Sequence, residues 1–220
     1  MSIASQIHSV SSTLPKGVKL IAVSKTQKVE TIMEAYKAGQ RLFGENRPQE
    51  LVEKVTQLPN DIEWHFIGHL QTNKVKMVVG KACLIHAVDS ERLLKEIEKQ
   101  AAKQGLIAHC LLQVHIAREE AKFGFSPDEL CDFLQSGILS AIPHIRINGL
   151  MGMASFTENH EQVRCEFRLL KQLFDRIKNT YFSSDNNFRE LSMGMSGDYP
   201  IAIEEGATLV RIGTTIFGSR

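Results

Sequence analysis

Eight short apolar runs alternate with amphipathic stretches along this chain, and that alternation leaves few folds open. The apolar runs fall at 19–25, 41–45, 63–68, 83–88, 108–116, 145–151, 189–193 and 208–212. They are close to continuous in apolar character, as strands buried on both faces require. Helices are predicted between them at 29–38, 48–57, 72–79, 91–104, from Ser126 onward, at 160–181 and at 199–205. Gly39 and Gly105 stand where helix C-caps belong, Asp89 and Ser90 can cap the helix after them, and Ser126-Pro127-Asp128-Glu129 reads as a capping box. Near-equal strand-then-helix units with no linker favour a closed parallel barrel over an open doubly wound sheet. The fold class expected is α/β, a single (β/α)8 TIM-type barrel over residues 1–220, with an extra N-terminal helix at 3–14.

Composition narrows the function. With 43% hydrophobic and 23% charged residues the chain has an ordinary globular make-up, and a net charge of +1 gives no pull toward nucleic acid or an acidic membrane. No apolar run is long enough to span a bilayer, and residues 1–15 lack the pattern of a secretory signal. Cys83, Cys110, Cys131 and Cys165 are widely spaced, with no C-x-x-C pair, so reduced thiols and a cytoplasmic location are expected.

Barrels of this kind place their chemistry at the C-terminal ends of the strands. That rule selects Lys25, Asn46, His69, Asp89, Met151, Ser196, Arg211 and Gly213. Ile21, Val23 and Lys25 share one face by the two-residue period of a strand. A partly desolvated lysine at a barrel mouth is a nucleophile suited to an aldehyde; the plain alternative is a solvated strand-end lysine. The last two strands lead into Gly194-Met195-Ser196-Gly197 and Gly213-Thr214-Thr215, where glycine backbone and the Ser196 and Thr214 hydroxyls suit an anion such as phosphate. Arg211 shares a face with Leu209 and Gly213, so it is a ligand clamp or half of an ion pair with an acid such as Glu45 or Glu190. Asn46 either orients a ligand oxygen or, the more usual role, caps the helix near Pro48. His65 and His69 alternate onto one face, but no third ligand is evident, and no metal site is expected. Met151, Met153, Met193 and Met195 are candidates for an apolar pocket wall.

Taken together, Ala22-Val23-Ser24-Lys25-Thr26, Phe43-Gly44-Glu45-Asn46, the run from Trp64 to Lys74, Gly149-Leu150-Met151, Leu191-Ser192-Met193-Gly194-Met195-Ser196 and the run from Val210 to Gly218 resemble the pyridoxal phosphate homeostasis proteins. These are single-domain relatives of the barrel domain of alanine racemase. The resemblance implies pyridoxal 5′-phosphate (PLP) as cofactor, carried by Lys25 as an aldimine. It implies phosphate contacts at Ser196, Gly213 and Thr214, Arg211 at the pyridine nitrogen, and Asn46 beside the ring. Arginine at that nitrogen makes the ring a weaker electron sink, which suits little or no carbanion chemistry. No catalytic residue is assigned. The chain ends at Arg220, just after the last strand, so the second domain of a two-base racemase is not expected. Tyr199 is the one tyrosine near the proposed site.

The resemblance therefore implies a monomeric carrier or buffer in vitamin B6 homeostasis, with PLP-dependent apoenzymes as recipients. The alternatives are a PLP-dependent amino-acid racemase of low activity and a lysine-imine aldolase acting on a sugar phosphate. Lys28, Pro48 and Ile116-Ala117-Arg118 depart from the commoner family pattern without touching the proposed cofactor positions.

Overall fold

The eight strands hydrogen-bond side by side, all parallel, and the last pairs with the first, so the sheet closes into a barrel in sequence order. The computed structural model describes residues 2–118 and 123–218. Its elements are α1 (Ile3–Thr13), β1 (Lys19–Val23), α2 (Val29–Lys37), β2 (Leu42–Glu45), α3 (Pro48–Gln57), β3 (Glu63–Phe66), α4 (Val75–Val78) and β4 (Leu84–Val88). The chain continues with α5 (Glu91–Gln104), β5 (Ala108–His115), α6 (Pro127–Gln135), β6 (Ile145–Met153), α7 (His160–Tyr181), β7 (Glu190–Ser192), α8 (Tyr199–Glu204), β8 (Leu209–Ile212) and α9 (Thr214–Phe217). The expected barrel and its leading helix are both present, and α1 packs beside α2 and α9.

Local sequence accounts for many of these boundaries. Ser90 Oγ accepts from Leu93 N–H at the start of α5, and Gly105 ends that helix in the left-handed region at φ 63°. Ser126 and Glu129 form the reciprocal capping box of α6, with Pro127 in its first turn. Asp89 does not cap; its carboxylate meets His69 instead.

Two apolar layers hold the barrel. Ile21, Leu84, Ala87, Leu111, Met151 and Leu209 fill its interior, and a larger layer joins the outer strand faces to the helices. Phe43, Phe66, Phe167 and Phe188 are fully buried in that outer layer. Each such side chain contributes about 1.5–3 kcal/mol through burial. Among the described residues, no helix is long and apolar enough to cross a membrane.

Three departures from the expected elements bear on the site. β1 stops at Val23, so Lys25 lies in a turn, and the next residue, Thr26, has φ 63°. β3 stops at Phe66, so His69 lies beyond the strand that carries His65. A short helix, α9, follows Gly213 where a glycine turn was expected.

Candidate functional site

The strand order β7-β8-β1-β2 brings the predicted site residues together at one mouth. Ser196 follows β7; Arg211 is in β8, with Gly213 and Thr214 just after it; Lys25 follows β1; Asn46 follows β2. The register pairs Ile21 with Arg211 and Ala22 with Ile212, which sets the Lys25 turn beside the Gly213 turn. The two phosphate-type loops are tied by a hydrogen bond from Gly213 N–H to Ser196 Oγ at 3.3 Å. A Cβ on Gly213 would stand 3.2 Å from Val23 Cβ, so glycine permits this close approach of two loops.

A buried polar cluster fixes the backbone on both sides of Lys25. Lys54, reaching in from α3, donates to the Ser24 carbonyl at 2.9 Å and to Glu45 Oε1 at 2.8 Å. Ser24 Oγ donates to the same Glu45 oxygen at 2.6 Å, and Thr26 N–H donates to Glu50 Oε2 at 2.7 Å. Burial holds the Glu45 carboxyl above its usual range, although its bonds from Lys54 and Ser24 pull the other way. The Lys25 side chain is half-buried, and its amine holds no hydrogen bond or ion pair among the described residues. Sequence reasoning passed over Lys54, because Glu50 and Lys54 four apart on a helix read as an ordinary surface pair.

Asn46 is not a helix cap. Arg47 holds the N-cap position of α3 with no side-chain bond, and Asn46 Oδ1 is buried with no hydrogen-bond partner. Gly68 explains how the chain packs so closely there: a Cβ on it would fall 2.4 Å from the Asn46 carbonyl oxygen. A buried acceptor left open costs about 1–3 kcal/mol unless a ligand or water meets it.

Arg211 makes no ion pair with Glu45 or Glu190, which instead bond Lys54 and Lys19. Its Nη1 donates to Ser192 Oγ at 2.6 Å and its Nη2 to the Gly152 carbonyl at 3.1 Å. Burial lowers its pKa to about 10, so it is cationic at neutral pH. Ser192 Oγ lies 2.9 Å from His86 Nδ1, and His86 Nε2 lies 2.8 Å from His65 Nδ1. Burial keeps both imidazoles neutral, driving His65 down to about 3 and His86 well below its ordinary value. Sequence reasoning did not single out His86, although a histidine inside the apolar run Leu84–Val88 needs a polar partner when buried.

Elsewhere at the mouth, His69 Nδ1 pairs with Asp89 Oδ2 at 3.0 Å. Met195 N–H donates to Asp198 Oδ1, and burial raises the Asp198 carboxyl above its usual range. Met151 and Met193 belong to the core; only Met153 and Met195 are exposed near the mouth. The methionine wall expected from sequence is thus half core packing.

The arrangement suits a phosphorylated aldehyde with a polar ring. Lys25, Asn46, the buried Arg211 and the two glycine loops lie on adjacent strands or just beyond their ends at this mouth. The N–H groups of Ser196, Gly197, Thr214 and Thr215 hold no hydrogen bond among the described residues.

Comparison with known proteins places the chain in a family. A family profile described as "Alanine racemase, N-terminal domain" matches residues 1–220. A pyridoxal phosphate homeostasis protein of Aquifex aeolicus is 44% identical over 203 residues, covering 92% of this chain and 87% of the relative. That of Haemophilus influenzae is 37% identical, covering 92% and 85%. Among solved structures, PipY of Synechococcus elongatus without PLP superposes with a TM-score of 0.92 at 37% identity, covering 99% of this chain and 100% of that one. The same protein with PLP bound gives 0.88. Alanine racemase of Clostridium difficile, at 15% identity and a TM-score of 0.77, shares the fold; this chain covers 57% of its length. By sequence and by fold alike, the chain belongs to the family of the pyridoxal phosphate homeostasis proteins.

Proposed function

We propose that this protein binds PLP reversibly at the β7-β8-β1-β2 mouth and serves vitamin B6 homeostasis as a carrier or buffer, without significant catalysis of its own. The observation that carries this reading is the convergence of Lys25, Asn46, Arg211 and the Ser196 and Gly213 loops on adjacent strand ends. When bound, PLP supplies an aldehyde that condenses with a lysine amine, releasing one water. Lys25 is the amine for that bond, since the Ser24 and Thr26 backbone is held on either side of it. Ser196 and Thr214 would hold the phosphate through hydroxyl and N–H donors, with the Gly213 turn letting the backbone approach it. Arg211, a donor-only group, would hold the pyridine nitrogen without requiring that it carry a proton. Asn46 Oδ1 accepts from the ring's polar substituents. That PipY has been solved with PLP bound supports the cofactor assignment.

The reading extends to a cytoplasmic monomer with PLP-dependent apoenzymes as recipients. The four free cysteines fit a reducing compartment.

The test is the visible spectrum of the purified protein, then borohydride reduction and peptide mass mapping. A yellow protein with a reduced pyridoxyl adduct on Lys25 is expected. A colourless protein that takes up no added PLP overturns the proposal.

One observation favours a second reading, an amino-acid racemase of low activity. Tyr199 opens α8 directly after the Ser196 loop, whereas Tyr36 is tied to Asp61 at 2.7 Å on the outer surface. D-alanine formation above that of free PLP, abolished by Tyr199→Phe, would favour the racemase.

A further inference from the structure

At the opposite end of the barrel, three side chains with metal-binding atoms converge. Glu63 and His65 are two apart on β3 and so share a face. Cys83 leads into β4, and its N–H donates to the Trp64 carbonyl at 2.7 Å, which holds it beside them. One ligand atom from each of Glu63, His65 and Cys83 lies within 4.8 Å of the others. They line a cavity of about 410 Å³ that also borders Lys19, His109 and Glu190. The Glu63 carboxylate and the Cys83 thiol hold no hydrogen bond or ion pair among the described residues. His65 spends Nδ1 on His86, which leaves Nε2 for a ligand and supplies the ring with the kind of hydrogen-bonded support that metal-binding histidines use.

We propose that Glu63, His65 and Cys83 form a divalent-cation site of zinc type on the barrel floor. Oxygen, nitrogen and sulfur donors in one small cluster match zinc better than magnesium or calcium, which take oxygen ligands. The fourth position goes to water. The Glu63 carboxylate and the Cys83 thiolate together balance the charge of the ion, and the thiol gives its proton to solvent as the metal binds. Lys19 opposes the ion, but its ammonium is drawn toward β7 by Glu190 at 2.9 Å.

The cavity floor communicates with the cofactor end through the buried chain. Arginine only donates, so Ser192 Oγ accepts from Arg211; its buried hydroxyl proton needs an acceptor, and we assign that role to His86 Nδ1. His86 therefore donates from Nε2 to His65 Nδ1, and the His65 proton sits on Nε2. A metal on that nitrogen moves the His65 proton to Nδ1 and reverses the bond. His86 then accepts at Nε2 and donates from Nδ1 to Ser192 Oγ. Each imidazole keeps one proton, on its other nitrogen, and Ser192 keeps its hydroxyl proton, turned elsewhere. Metal on the floor thus resets the hydrogen bonds of Ser192, the residue that braces Arg211.

The test is calorimetric titration of the untagged full chain, stripped by chelator, with zinc chloride in buffers of different ionisation enthalpy. One zinc per chain and one proton released are expected. Cys83→Ser and Glu63→Gln should each weaken binding at least about tenfold, since even an outer support of a metal ligand is worth that much. Cys165→Ser, on the exposed face of α7, should not. Glu63 is exposed, so Glu63→Gln carries the test if Cys83→Ser fails to fold. Nitrogen-15 shifts of the His86 ring should show its proton moving from Nε2 to Nδ1 on adding zinc. Absence of zinc binding, or binding that survives Glu63→Gln, overturns the site. Zinc binding with an unchanged His86 tautomer overturns the link to Arg211.

Discussion

The Lys54 ammonium donates to the Ser24 carbonyl, 2.9 Å away, and so anchors the residue immediately before Lys25 from a neighbouring helix. Lys54 also neutralises Glu45, which is fully buried. Lys54→Ala would leave that carboxylate without its cation, a change that costs about 3–5 kcal/mol in comparable buried pairs. The pH dependence gives the loss a signature. The folded pKa of Glu45 is already raised above its unfolded value, so its stabilising contribution is complete below the usual carboxylate range and is lost as pH rises through the raised value. Without Lys54, desolvation acts on Glu45 with Ser24 and Glu50 as its remaining close polar neighbours, and Glu50 repels it. The stability lost in Lys54→Ala, measured by urea unfolding, is therefore larger at pH 7.5 than at pH 5. Equal losses at the two values would refute this account.

Thr26 supplies a second constraint on the same turn. Its φ of 63° is left-handed, a region that costs a non-glycine residue about 1–2 kcal/mol. Glycine removes that strain but adds unfolded-state entropy worth about 0.5–1 kcal/mol. Thr26→Gly should therefore leave the melting temperature unchanged or slightly raised, while PLP is lost faster because the Lys25 turn is looser. A variant that melts lower by several degrees would show that the threonine conformation is not strained.

Asn46 separates ligand binding from stability in a different way. Its Oδ1 does nothing for the unliganded fold except remain buried and unpaired. Asn46→Leu, close in shape, removes an acceptor whose open state costs about 1–3 kcal/mol. The cofactor-free protein should become more stable, and PLP affinity should fall about tenfold, the worth of one hydrogen bond of about 1.4 kcal/mol. A less stable cofactor-free variant with unchanged affinity would remove Asn46 from the site.

The barrel and its mouth were legible because period and position carry them. Leu209, Arg211 and Gly213 alternate, and the strand ends mark the site whatever the loops do. What escaped were features set by one residue's effect on its neighbour. Pro48 forces the residue before it out of helical conformation, so Arg47, at φ −118° and ψ 124°, becomes the cap and Asn46 comes one residue too early. The left-handed Thr26 ends β1 before Lys25, where apolar pattern alone carries the strand on. Lys54 faces inward through the rotation of α3 against the barrel, which no local spacing reveals. Cys83 lies on a different strand connection from Glu63 and His65, so their meeting depends on the pairing of β3 with β4.

Ser192 joins Arg211 to His86, with its hydroxyl oxygen in contact with both. Ser192→Ala leaves a buried guanidinium N–H and a buried imidazole nitrogen both unpaired. At about 1–3 kcal/mol for each orphaned group, the variant should lose roughly 2–6 kcal/mol of stability. His86→Leu removes one of those orphans, so in its background Ser192→Ala should cost less. Contacting residues in one network typically couple by about 0.5–3 kcal/mol, and a coupling in that range is expected from urea midpoints of the wild type, the two single variants and the double. Strict additivity would mean that Arg211 and His86 are held independently, and that no continuous hydrogen-bonded chain runs from the cofactor mouth to the barrel floor.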